Sequence, residues 1–92
     1  MKNNVTPQTS VWGVLSEVNI MLEHLRGLRE DKDLSQKDMA ELLSVHQTTY
    51  SDYELGRLNI PISILKTLAR YFDTSVDYLL DLTDERRPYP RK

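Results

Sequence analysis

Positions 47 to 52 read Gln-Thr-Thr-Tyr-Ser-Asp, and helical spacing sorts these side chains into two groups. At about 100° per residue, Gln47, Thr48, Ser51, Asp52 and Leu55 fall on one side of a helix, with Tyr50 and Tyr53 opposite. The first group is mostly short and hydrogen-bonding, whereas a merely solvated helix face more often carries long Lys and Glu side chains. A projecting glutamine can bond bidentately to an adenine edge in a DNA major groove. Ser and Thr can reach any base, and a carboxylate accepts only from donors such as the cytosine amino group. Taken alone, such a stripe suits either base reading or a plain solvated surface. The chain has no Ser-His-Asp spacing, no glycine-rich phosphate loop and no paired-carboxylate cleft, so no catalytic residues are expected. His24 and His46 without a single cysteine make no metal-ligand pattern, and neither metal nor cofactor is expected. Tyr50, Tyr53, Tyr71 and Tyr78 read as core and rim packing, because there is no sheet on which they could form a base-stacking platform.

A face of this kind needs elements to hold it. Val11, Leu15, Val18, Leu22, Leu25 and Leu28 recur at three- and four-residue steps, which predicts one helix from residue 11 to about residue 30. Asp33 follows as a residue that tolerates a left-handed cap position. Ser35-Gln36-Lys37-Asp38 predicts the start of a second helix through a near capping box. Met39, Leu42 and Leu43 should face inward from it, and Ala40 permits close helix contact. Ser44-Val45-His46 is a short break, and a third helix is expected from Gln47 to Leu55, ended by Gly56. Pro61 suits the first position of a fourth helix, whose buried stripe is Leu65, Leu68, Ala69 and Phe72. Thr74 or Ser75 should cap a short fifth helix carrying Val76, Leu79 and Leu80. Residues 84–92 contain two prolines and six charges and read as an unpacked tail.

Composition agrees with a single small all-α domain. The chain has 92 residues, 39% of them hydrophobic and 28% charged. The longest apolar run, residues 11–15, is far too short to span a membrane. Absence of cysteine and of a basic-then-apolar leader suits a reducing cytoplasm. A formal charge of −2 supplies no global attraction to nucleic acid.

The segments LEHLRGLREDKDLSQKDMAELL, VHQTTYSDYELGRLNIP, LKTLARYF and SVDYLL follow one another in order. Together they resemble the phage-repressor (Cro/repressor-like, Xre-type) helix-turn-helix family across residues 21–82. The resemblance implies a compact five-helix, lambda-repressor-like domain over those residues. Residues 1–20 would be a partly helical N-terminal extension, and residues 83–92 a short flexible tail. It also implies roles. Gln47, Thr48, Ser51 and Asp52 would face bases, while Ser35, Gln36, Arg57 and Asn59 would meet phosphates. Arg29 and Glu54 would form a partly buried structural ion pair. Three residues depart from the family pattern. Ser44 stands where the turn often has Gly or Asn, and His46 replaces the usual Ser or Thr cap. Asp52 puts a negative charge where relatives often present Arg, Lys or Gln.

These observations lead to a sequence-specific, double-stranded-DNA-binding transcriptional regulator, a repressor acting on a near-palindromic operator through the helix that starts at Gln47. Across residues 34–61 the bases are Lys37 and Arg57 and the acids Asp38, Glu41, Asp52 and Glu54, a balance of −2. So few phosphate contacts make binding as a homodimer close to necessary. Val11, Trp12, Leu15 and Val18 are the dimerisation candidates, since they precede a nearly complete domain and need covering. An antitoxin-like or adaptor regulator that binds a protein partner, with DNA secondary, is the alternative. A helical assembly module is the third reading.

Overall fold

A computed structural model describes residues 21–91 and builds them into five helices with no strand among them. They are α1 (Glu23–Asp31), α2 (Gln36–Leu43), α3 (Gln47–Glu54), α4 (Ile62–Tyr71) and α5 (Val76–Leu79). The all-α class and the order of elements are as the sequence predicts.

Much of the punctuation is local. Asp33 takes a positive φ of 57°, which lets its amide and that of Leu34 donate to Glu30 and Arg29 and close α1. Ser35 opens α2 with a complete capping box. Its hydroxyl accepts from the Asp38 amide at 2.9 Å, and its own amide donates to the Asp38 carboxylate at 2.8 Å. The bond from the Ser35 amide, and after it the Ser35 side chain, holds the Asp38 carboxyl below its usual pKa. Ser44 adopts the left-handed conformation, φ 58°, that its place in the turn implied. Gly56, at φ 71°, follows the last turn of α3.

Five expectations need correction. The first helix does not run through Met21 and Leu22; α1 starts at Glu23. Leu22 is held out of the helix because its amide donates to the Glu54 carbonyl at 2.7 Å. The first-turn amides of Glu23 and His24 donate to the Asp81 carboxylate, at 2.9 and 3.0 Å, from the far end of the domain. Residues 11–20, the rest of the predicted helix, lie outside the described residues. Leu42, expected inward, is 43% exposed. Met39, Ala40 and Leu43 define the contact stripe of α2, and Leu42 sits roughly 100° round from Leu43 on its flank. Pro61 is the residue before the first turn of α4, with φ −57° and ψ 148°, one position earlier than expected. Leu65 is only half-buried, so Leu68, Ala69 and Phe72 carry the stripe.

The C-terminal segment is the fifth correction. It is tied to the domain by three contacts where an unpacked tail was expected, although residues 84–91 stay exposed apart from the half-buried Pro88. The Thr74 hydroxyl, almost fully buried, donates to the Arg86 carbonyl at 2.6 Å. The Tyr89 hydroxyl donates to Asp77 at 2.8 Å, and the Arg91 guanidinium reaches Asp73 at 3.3 Å. Ser75, rather than Thr74, caps α5 by accepting from the Tyr78 amide.

One core joins all five helices. Leu25 and Leu28 of α1 meet Met39 and Ala40 of α2, Tyr50 and Tyr53 of α3, Leu68, Ala69 and Phe72 at and after α4, and Leu79 of α5. Val45 and Val76 pack at its edge. Each fully buried large side chain here is worth about 1.5–3 kcal/mol of transfer free energy.

Candidate nucleic-acid interface

Helices α2 and α3 meet across Ser44-Val45-His46, and the buried side of α3 fixes how its other side is presented. Tyr50, Tyr53 and Glu54 are buried. Gln47 and Thr48 are exposed, and Ser51, Asp52 and Leu55 lie half-exposed around them. The polar stripe expected on the outer face is therefore on the outer face. His46 precedes the helix in an extended conformation and makes no side-chain cap bond, so the first turn of α3 begins without the side-chain cap that Ser or Thr would supply.

A buried carboxylate network locks that orientation. Glu54, 2% exposed, accepts from Arg29 Nε at 2.6 Å and Arg29 Nη2 at 3.2 Å. It also accepts from the Tyr50 hydroxyl at 2.5 Å and from Gln36 Nε2 at 3.2 Å. Arg29 Nη1 completes the set on the Leu34 carbonyl at 2.8 Å. Glu54 raises the Arg29 pKa above its ordinary value by accepting its hydrogen bonds. Burial, and then the bond to Glu54, drives the Tyr50 phenol well above the usual tyrosine range. Among the described residues, no buried polar side-chain atom lacks a partner. One carboxylate at the end of α3 thus ties α1, the first turn of α2 and the middle of α3 together. Breaking the Arg29–Glu54 pair by removing either partner should cost about 3–5 kcal/mol.

The other residues expected at the site sit as follows. Gln36, read as a phosphate contact that steadies the third helix, is half-buried with its amide on Glu54. The Ser35 side chain is occupied by the capping box, although the residue itself is exposed. Arg57 and Asn59 are exposed on the loop after α3, and the Arg57 amide is fixed on the Asp52 carbonyl at 2.9 Å. Val11, Trp12, Leu15 and Val18 lie outside the described residues. His24 stacks on Tyr78 at 3.9 Å between ring centroids and faces Asp81 and Asp84. Among the described residues no group of three or more His, Cys, Asp or Glu side chains could hold a metal.

Sequence reasoning missed Arg26. It lies with Met21, Arg29, Gln36, Glu54 and Leu55 around a recess of about 240 Å³ where α1, α2 and the end of α3 meet. The signal was its spacing, since Arg26 is one turn before Arg29 on the same helix face.

Residues 25–79, from the core of α1 to the end of α5, match the family described as Helix-turn-helix. The chain belongs to the helix-turn-helix family. Its motif is α2, the turn at Ser44-Val45-His46, and α3. Among its relatives, the uncharacterized HTH-type transcriptional regulator YobD of Bacillus subtilis is 38% identical over 72% of this chain and 59% of its own length. The HTH-type transcriptional regulator AnsR of the same organism is 34% identical over 76% of this chain and 60% of its own. The control protein C.SmaI of Serratia marcescens is 36% identical over 66% of this chain and 73% of its own. This helix-turn-helix chain spans about half to three-fifths of the length of the first relatives it matches. No solved structure matches it significantly. None of the helices among the described residues is long and apolar enough to cross a membrane.

Proposed function

We propose that this chain is a sequence-specific, double-stranded-DNA-binding transcriptional regulator. It works in the cytoplasm as a repressor, and a homodimer places α3 of each copy in one major groove of a near-palindromic operator. One observation carries the reading: the short polar stripe of α3 lies at the surface, Gln47 and Thr48 exposed and Ser51 and Asp52 half-exposed, on the side away from the buried Tyr50 and Tyr53. A helix held that rigidly can aim side chains at base edges, and the second helix of such a motif enters the major groove. Arg57, Asn59, Ser35 and Gln36 supply the backbone contacts that set its register. Relatives named as transcriptional regulators support the same reading. Occupying a site is enough to repress from it.

The protein-binding alternative draws on a specific observation. Ile62 is 71% exposed and Leu58 is 47% exposed in and after the loop that should meet the DNA backbone. An antitoxin-like or adaptor protein would use such apolar surface against a partner. Selection from a random duplex library separates the two. The regulator reading expects an enriched motif of two inverted half-sites about 34 Å apart between centres, one helical turn. A library that yields no enriched motif removes it and leaves the protein-binding reading.

A further inference from the structure

We infer that Arg26 is a phosphate-binding residue held in reserve by Glu30, and that the recess it lines seats the DNA backbone. The inference rests on the DNA-binding reading and adds a residue to it. The helix-turn-helix segment itself, residues 34–61, carries a net −2, so the charge that neutralises phosphates must come largely from outside it. The recess of about 240 Å³ lies where α1 joins the first turn of α2 and the end of α3. Two guanidinium groups line it. Arg29 is committed, because it is buried and bonded to Glu54 and to the Leu34 carbonyl. Glu54 is likewise saturated by Arg29, Tyr50 and Gln36. Its charge is therefore matched inside the fold.

Arg26 is differently placed. Its side chain is 46% exposed, with Nε on Glu30 Oε2 at 3.1 Å and Nη1 near Met21 Sδ at 3.4 Å. Glu30 is itself 54% exposed and approaches Arg29 no closer than 4.0 Å. An exposed ion pair four residues apart on a helix is held weakly, and a phosphate with its charge-assisted bonds can displace such a partner. Gln36 in the first turn of α2 and Leu55 just after α3 line the same recess, so Arg26 shares it with both helices of the motif. A contact to phosphate is sequence-neutral, and Glu30 would compete with the phosphate for Arg26.

The test is titration of the full-length chain with random-sequence duplex DNA over a range of salt. Arg26→Gln should weaken binding by roughly threefold or more and flatten the salt dependence by roughly 0.9 in the log–log slope per bound protomer. Glu30→Gln should act oppositely and tighten binding by about two- to threefold. Neither variant should change the sequence motif selected by the protein. Circular dichroism of both variants establishes that each is folded, and the opposite signs guard against a general loss of stability. Wild-type binding with both variants unchanged in affinity and slope would overturn the inference while leaving the regulator intact. No binding by the wild-type chain at low salt would overturn the regulator reading, and the inference with it.

Discussion

Asp52 is the residue whose placement has the sharpest consequence. It lies half-exposed beside Gln47 and Thr48 on the outer side of α3, where a carboxylate repels phosphates and accepts only from base donors. Asp52→Asn should tighten binding to random duplex DNA and broaden the selected motif, both measured in one titration and selection; unchanged affinity at low salt would mean that Asp52 points away from the duplex. Tyr50 carries a second prediction, through pH. Its phenol pKa is raised by burial and by Glu54. The stability it contributes is therefore fully present below the unfolded tyrosine value of about 10 and is lost as pH rises through the folded value. Tyr50→Phe should be less stable near neutrality by about 1–3 kcal/mol, because Glu54 loses a donor. Urea midpoints should show that gap narrowing above about pH 10; a constant gap would contradict the assignment. The Arg29–Glu54 pair was legible through family resemblance, and the structure has it. That Tyr50 and Gln36 share the same carboxylate was less visible. Tyr50 stands four residues before Glu54 on one helix face, but a tyrosine at that spacing reads equally well as plain core.

Helix boundaries were legible where the chain next to them supplies the partner. Ser35 with Asp38, Asp33 at positive φ and Gly56 after α3 all act within a few residues of the helix they bound. The start of α1 was not legible, because its cap comes from Asp81, 58 residues beyond Glu23. Asp81 sits at φ 62° just after α5, and His24 stacked on Tyr78 packs beside it. Asp81→Ala should therefore destabilise the whole domain by about 1–2 kcal/mol, as loss of a helix N-cap does. Thermal unfolding should report a fall of about 4–8 °C per kcal/mol in a domain of this size. An unchanged midpoint would show that water replaces the carboxylate at no cost. The C-terminal segment misled for a related reason. Prolines and charges read as a solvated tail, but Thr74, Asp77 and Asp73 offer it partners that composition does not reveal.

For the whole molecule, charge decides how it must work. Under the proposed function, binding with so few cations near α3 calls for two half-sites bound as one event, since avidity of that kind raises affinity without any new contact. We propose Trp12, with Val11, Leu15 and Val18, as the source of self-association, since large aromatics dominate interface energetics. Trp12→Ala should shift sedimentation toward monomer at micromolar concentration and lower operator affinity by about an order of magnitude or more. A variant that stays dimeric with unchanged affinity would place dimerisation elsewhere, and Leu58 with Ile62 would be the next surface to test.

The central claim is that the outer face of α3 reads bases. Parallel selections of the wild-type and Gln47→Ala chains from one random duplex library test it directly, with Arg57→Ala as a comparison. Gln47→Ala should lose about 1–3 kcal/mol of discrimination at one base position of each half-site and keep the rest of the motif. Arg57→Ala should instead weaken binding to all sequences alike. A Gln47→Ala motif identical to the wild-type motif at every position would contradict the account.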